Sequence, residues 1–130
     1  MISIIGYGNL SQALITGLRF AKYSESIKVY DSRINKKIHR KIILKKMIDK
    51  EIVKSRLVLL AVKPKDFKNI SDHLKELKTD SVIVSLMAGI SIKKIRELTG
   101  HKKLARVMTN INCAYGRAQS FIYINPACSS

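Results

Sequence analysis

Apolar residues along this chain fall into short blocks separated by stretches with helical spacing. Ile2–Ile5 is almost wholly apolar, as expected of a strand covered on both faces. Asn9–Ala21 predicts a helix, with Leu10, Leu14 and Leu18 on one face and Ala13 and Gly17 beside them. Gly17 lowers helix propensity but permits close helix–sheet packing. Ser26–Tyr30 is a short strand broken by Asp31-Ser32-Arg33. Period-four spacing of Ile34, Ile38 and Ile42, followed by Ile43 and Met47, predicts an amphipathic helix over Ile34–Ile48 with a basic outer face, leading almost directly into Lys50–Lys54. Arg56–Val62 is the clearest buried strand, and Pro64 closes it. Asp66–Leu77 predicts a helix that turns Phe67, Ile70, Leu74 and Leu77 inward, and Val82–Met87 another buried strand. Ser91–Leu98 reads as a short helix with Ser91 as N-cap and Gly100 as terminator. Leu104–Met108 is a fifth strand and Phe121–Ile124 a sixth.

Strands alternating with helices, the strands themselves apolar, imply an α/β fold: a mostly parallel sheet of five or six strands, helices on both faces, and the strand order reversing beside the first strand. In such sheets ligands sit beyond the carboxyl ends of the strands, at the point where the order reverses. Those ends are Gly6-Tyr7-Gly8, Asp31-Ser32-Arg33, Lys63-Pro64, Met87-Ala88-Gly89 and Thr109-Asn110, so small and polar residues collect along one edge. At 130 residues the chain is read as a single domain over 1–124 followed by a tail over 125–130.

Charge changes this picture less than its size suggests. Lys plus Arg number 25 against 9 Asp plus Glu, a net charge of +16. Much of the excess lies between Arg33 and Arg56, with a second cluster from Lys93 to Arg106. Such a balance can attract nucleic acid. Aromatics make up only 6% of the chain and do not interleave with the lysines as on a single-strand-binding surface, so solvated lysine faces are the expectation and no specific nucleic-acid partner is. The longest apolar run, Leu57–Val62, is far short of a membrane span, and the N-terminus lacks the pattern of a signal peptide. With two cysteines, Cys113 and Cys128, outside C-x-x-C spacing, the expectation is a reduced, cytoplasmic chain without a membrane partner. His39, His73 and His101 have no second histidine or cysteine at ligand spacing, so they are read as surface residues and no metal is expected. Cys113 is read as a buried inert thiol, and Asp72 and Glu76 as solvated charges.

The candidate chemistry lies in the first turn. Gly6-x-Gly8 follows a buried strand and precedes an amphipathic helix, the context a dinucleotide-binding, Rossmann-like loop requires. Gly6 permits the tight turn; Gly8 lets a pyrophosphate approach the backbone and the positive end of the helix. Ser11 stands where that pattern wants Gly or Ala, and is small enough to keep helix and strand close. Asp31 ends the second strand, where a carboxylate binds the ribose hydroxyls of NAD and repels a 2′-phosphate; Arg33, two residues on, favours that phosphate. NADP and NAD both stay open.

Four segments together resemble the pyrroline-5-carboxylate reductase family: Ile5-Gly-Tyr-Gly-Asn-Leu10 with Gly17-Leu18, Ala61-Val-Lys-Pro64, Ser85-Leu-Met-Ala-Gly-Ile90 and Arg106-Val-Met-Thr-Asn110. The resemblance implies NAD(P)H-dependent reduction of 1-pyrroline-5-carboxylate to proline. It places Ile5, Gly6, Tyr7, Gly8, Asn9 and Leu10 around the pyrophosphate, Arg33 beside the adenosine ribose, and Ala61, Val62, Lys63 and Pro64 along the dinucleotide. Met87 and Ala88 would flank the nicotinamide, and Asn110 the mouth of the substrate site. Asp31-Ser32 stands where bacterial members often carry Asn-Arg, which tilts the reading toward NAD. The 33–57 stretch is short for the family and reads as lacking a small strand. The family's helical C-terminal domain, which makes the dimer and closes the substrate pocket, is not among these residues. The expectation is therefore a cofactor-binding domain, weakly active or inactive alone, with a separately encoded C-terminal half as the partner it implies. The alternative is a non-catalytic relic of a dinucleotide fold, or a basic structural or nucleic-acid-associated protein.

Overall fold

The computed structural model describes residues 1–34 and 41–129. Its centre is β1 (Ile2–Ile5), flanked by β2 (Ile27–Tyr30) and β4 (Leu57–Leu60), both parallel to it. Outward lie β3 (Ile42–Lys45) beyond β2, and β5 (Val82–Ser85), β6 (Leu104–Met108) and β7 (Phe121–Ile124) beyond β4. The sheet order is β3-β2-β1-β4-β5-β6-β7, parallel throughout except for the antiparallel β6–β7 pair. The expected reversal beside the first strand is present: the chain builds outward through β2 and β3, then returns to β1's other side as β4.

Alternate strand residues enter two separate cores, which is why the strands read as unbroken apolar runs. Ile4, Ile15, Val29 and Ile42 pack on the face covered by α1 (Asn9–Phe20). On the other face Val58, Leu60 and Ile83 pack with Phe67 and Leu74, and with Ile95 of α3 (Ile92–Thr99). Phe67 belongs to α2 (Pro64–Ser71), and Leu74 to the 3-10 turn that follows it.

Several expectations change. Among the described residues the sheet has seven strands, not five or six, because the small strand read as missing is present as β3. The helix expected over Ile34–Ile48 does not extend through Ile42–Lys45; part of it, 35–40, lies outside the described residues. The β-branched pair Ile42-Ile43 pairs in register with Ile27-Lys28 of β2, and tertiary pairing overrides the helical spacing. Pro64 opens α2 at its first turn, where its missing N–H costs nothing, and the α-helix ends at Ser71, short of Leu77. On α1 the buried residues are Ser11 and Ile15, with Leu10, Leu14 and Leu18 only half-buried. His101 is buried rather than surface-exposed: its Nε2 lies 2.6 Å from the Ser81 carbonyl oxygen. Ser91 caps α3 by accepting from Lys94 N, and Gly100 ends it in the left-handed region, both as expected.

Beyond β7, the buried Asn125 side chain accepts from Leu104 N and donates to the Lys102 carbonyl. β7 itself is an edge strand with Phe121, Ile122, Tyr123 and Ile124 all more than half exposed. Among the described residues no helix is long and apolar enough to cross a membrane.

Gly17 packs against an element the sequence did not suggest. A Cβ at this position would lie 2.2 Å from the carbonyl oxygen of Cys113, in the 3-10 turn Ile111–Tyr115 that lies along α1. Its smallness serves that contact rather than one with the sheet. Gly17→Ala is therefore expected to destabilise the fold despite a gain of about 1 kcal/mol in helix propensity, because overpacking against backbone costs about 1–3 kcal/mol. Thermal unfolding checks this; a raised melting temperature would refute it.

Candidate functional site

The carboxyl ends of β1, β2, β3 and β4 open onto a cleft of ≈ 770 Å³. The loop after β1 forms its floor. Gly6 N donates to the Tyr30 carbonyl, 2.8 Å, and Ala61 N to the Ile5 carbonyl, 2.8 Å, so the loop is tied into the sheet on both sides. Gly6 holds φ +102°, and a Cβ there would lie 2.4 Å from the Ala61 carbonyl oxygen. Only glycine meets both demands.

Gly8 is the N-cap of α1, in extended backbone, and contributes no side-chain cap. A Cβ on Gly8 would meet nothing within 4 Å. The protein leaves this space open, beside helix N–H groups that have no partner within their own helix. An anion placed there meets those donors and the positive end of the helix. Ser11, at the third position of the pattern, is buried and donates from Oγ to the Gly6 carbonyl at 2.8 Å, so a hydrogen bond joins helix to loop where a third glycine would have given close contact alone.

Asp31 stands at the end of β2, its side chain only 6% exposed. Oδ2 accepts from Tyr7 N at 2.7 Å and from Arg33 Nη2 at 3.1 Å; Oδ1 accepts from Arg33 N at 2.9 Å and from Arg33 Nε at 3.2 Å. A carboxylate offers about four lone-pair sites, so this one is filled by the protein. Burial works to raise its pKa, but the bonds from the Arg33 side chain, the Arg33 N–H and the Tyr7 N–H outweigh it and hold the carboxyl below its ordinary value. Asp31 N in turn donates to the Lys45 carbonyl at 3.0 Å, so β3 also helps to place it. The Arg33 guanidinium stays exposed at the cleft and keeps its remaining N–H groups free of Asp31.

Of the residues singled out from sequence, Ile5, Gly6, Gly8, Asn9, Asp31, Arg33, Ala61, Val62 and Lys63 line this cleft together. Tyr7, Leu10, Pro64, Met87, Ala88 and Asn110 are not among its walls. Tyr7 contributes its backbone N–H to Asp31, and Pro64 opens α2. Asn110 caps the Ile111–Tyr115 turn by accepting from Asn112 N at 2.9 Å. Met87 is buried and donates its N–H to Ser85 Oγ, while Ala88 is exposed.

The cleft also takes in Ser32, Lys46, Met47, Ile48, Lys65 and His73, which sequence reasoning did not assign. Lys46–Ile48 follow β3, whose β-branched pair Ile42-Ile43 was a signal too short to mark a strand. Lysines 46, 63 and 65 and Arg33 make the wall basic, with Asp31 and Asp66 the acidic residues among them. Outside the cleft, burial pushes the Cys113 thiol up, in keeping with an inert role, and Asp72 pairs with Lys75 at 2.6 Å. His73 is exposed, and His39 lies outside the described residues.

Comparisons with known proteins identify relatives of the chain. The pyrroline-5-carboxylate reductases of Aquifex aeolicus and Haemophilus influenzae are 37% and 30% identical to the chain over 121 and 129 residues, taking in 88% and 95% of it. They cover 44% and 48% of those proteins, so the chain spans about half the length of the curated relatives it matches. The crystal structure of Plasmodium falciparum pyrroline carboxylate reductase with NADP bound superposes with a TM-score of 0.80 at 22% identity, over 96% of this chain and 48% of that one. Coxiella burnetii glycerol-3-phosphate dehydrogenase superposes at 0.76 with 12% identity, over 97% of this chain and 47% of that one. At such identities the superpositions establish the fold, an NAD(P)-type dinucleotide fold. The sequence model of the family described as NADP oxidoreductase, coenzyme F420-dependent, matches residues 1–89. The chain belongs to that oxidoreductase family, and it corresponds to the N-terminal half of pyrroline-5-carboxylate reductases.

Proposed function

We propose that residues 1–124 form the cofactor-binding unit of a pyrroline-5-carboxylate reductase, and that the unit takes NADPH in preference to NADH. The observation that carries this is the pairing of an uncapped helix start, with open space at Gly8, and an exposed Arg33 held in place by a saturated Asp31. The N–H groups at the start of α1 bind the pyrophosphate. Arg33 and Ser32 receive the adenosine ribose, with Lys46 and Lys65 adding positive charge around a 2′-phosphate. In this reading Asp31, whose acceptor sites are taken by Tyr7 and Arg33, does not hold the ribose hydroxyls, the usual basis for NAD selection. Ala61–Lys63 line the middle of the cleft.

When bound, the cofactor supplies hydride to the imine carbon of 1-pyrroline-5-carboxylate. The chain's own part is to bind and orient. In this reading Asn110, beyond β6, faces the substrate, and a C-terminal half encloses it.

Calorimetric titration with both cofactors tests this reading. NADPH is expected to bind more tightly than NADH. Arg33→Ala is expected to erase the difference by weakening NADPH about 10- to 100-fold, the value of a lost charge-assisted phosphate contact. Absence of binding by either cofactor at millimolar concentration would refute the proposal.

A further inference from the structure

Lys28 is a charged residue in the middle of a buried strand, 2% exposed. An apolar residue of similar length would pack there without the penalty of desolvating an ammonium. Its Nζ is bonded to Glu51 Oε2 and lies 3.9 Å from Asp49 Oδ2. Asp49 is the centre of the group. It accepts from Tyr30 OH at 2.8 Å, caps the 3-10 turn Lys50–Lys54 by accepting from Glu51 N at 3.1 Å, and lies 3.4 Å from Lys45 Nζ. Lys45 ends β3 and pairs in register with Tyr30.

Between those two fixed points runs Lys46-Met47-Ile48, and all three residues line the cleft. Met47 is 80% exposed, so the segment has little packing of its own at its midpoint. Its position is set by sheet pairing at Lys45, by Ile48, which packs against the core, and by the charged group at Asp49. Tyr30, buried and also a cleft residue, joins the same group from below.

We propose that Lys28 is a positioning residue, which through Asp49 and Glu51 holds Lys46–Ile48 as the adenosine-side wall of the cleft. The proposal rests on the reading of the cleft as a dinucleotide site. It assigns a role to a buried charge that touches neither cofactor nor substrate, and it predicts an effect confined to one half of the ligand.

Two ligands separate the halves: 2′,5′-ADP, which needs the wall, and inorganic pyrophosphate, which needs only the glycine loop. Lys28→Met is expected to bind 2′,5′-ADP about tenfold more weakly while pyrophosphate affinity stays within about twofold of the parent. Hydrogen exchange at residues 46–49 should quicken, with the Gly6–Gly8 loop unchanged. Unaltered 2′,5′-ADP affinity, or an equal loss for both ligands, would overturn the proposal. If Lys28→Met does not fold, Glu51→Gln, at a residue whose side chain is 56% exposed, is read by the same measurements and the same outcomes. If the parent chain binds no 2′,5′-ADP, the dinucleotide reading fails. The exchange data then decide alone: quickening confined to 46–49 supports the positioning role, and uniform quickening overturns it.

Discussion

Gly6→Ala is expected to cost the fold several kcal/mol, whereas Gly8→Ala leaves stability nearly unchanged and abolishes cofactor binding. The two glycines stand one residue apart and look equivalent in sequence. At Gly6 the backbone lies at φ +102° and a methyl group would sit 2.4 Å from the Ala61 carbonyl oxygen. Backbone strain of about 1–3 kcal/mol and overpacking of similar size add, because the clash is with the backbone of β4's end and no side-chain rotation relieves it. Against a typical total of about 5–15 kcal/mol, that shifts the folded population measurably. At Gly8 the backbone is ordinary and a methyl group meets nothing within 4 Å, so the protein tolerates it. The methyl would instead occupy the space through which a pyrophosphate reaches the N–H groups of α1. Denaturant unfolding and cofactor titration on both variants check the contrast. A Gly8→Ala variant that binds as the parent does would remove the glycine loop from the site.

Asp31→Ala is expected to weaken NADPH at least as much as NADH and to destabilise the fold by about 2 kcal/mol, since the Tyr7 and Arg33 N–H groups each lose a charged acceptor. A carboxylate that held the ribose would give the opposite selectivity, with NADH losing more. The pH dependence follows from the same bonds. The folded pKa of Asp31 lies below its unfolded value of ~3.9, so its contribution is complete above that range and is lost as pH falls through the lower, folded value. The melting temperature of the parent should therefore fall more steeply below about pH 4 than that of Asp31→Ala. Parallel profiles for parent and variant would show that the carboxylate does not make these bonds in solution.

The parts of the site that the sequence disclosed are those built from neighbours in the chain. β1, the Gly6–Gly8 turn and α1 run without a break from Ile2 to Phe20, and each constrains the next. β4, β5 and β6 were legible for a different reason: each carries a short apolar run, Leu57–Leu60, Val82–Val84 and Leu104-Ala105, and Val58, Leu60, Ile83 and Leu104 of these runs are buried in the core. β3 was not legible, because four residues carry too little pattern to outweigh the spacing of Ile34, Ile38 and Ile42, and only pairing with β2 makes them a strand. With β3 misread, Lys46–Ile48 could not be placed at the cleft. Asp31 was correctly located at the end of β2, but its occupancy by Tyr7 N and Arg33 depends on loop geometry that no spacing encodes. His101 was misjudged similarly, because its partner is the Ser81 carbonyl, twenty residues away in sequence.

The open edge at β7 gives the excess charge a colloidal meaning. Phe121-Ile-Tyr-Ile124 is an uncharged, strongly β-forming run with an unpaired side, the kind of edge that recruits another strand. A charge of +16 makes every molecule repel its neighbours before two such edges can meet. That protection has a range of about 30 Å at 0.01 M ionic strength and about 8 Å at 0.15 M. The surplus of lysine charge thus acts as a dispersant, and ionic strength, rather than temperature alone, is expected to govern how concentrated the chain can become.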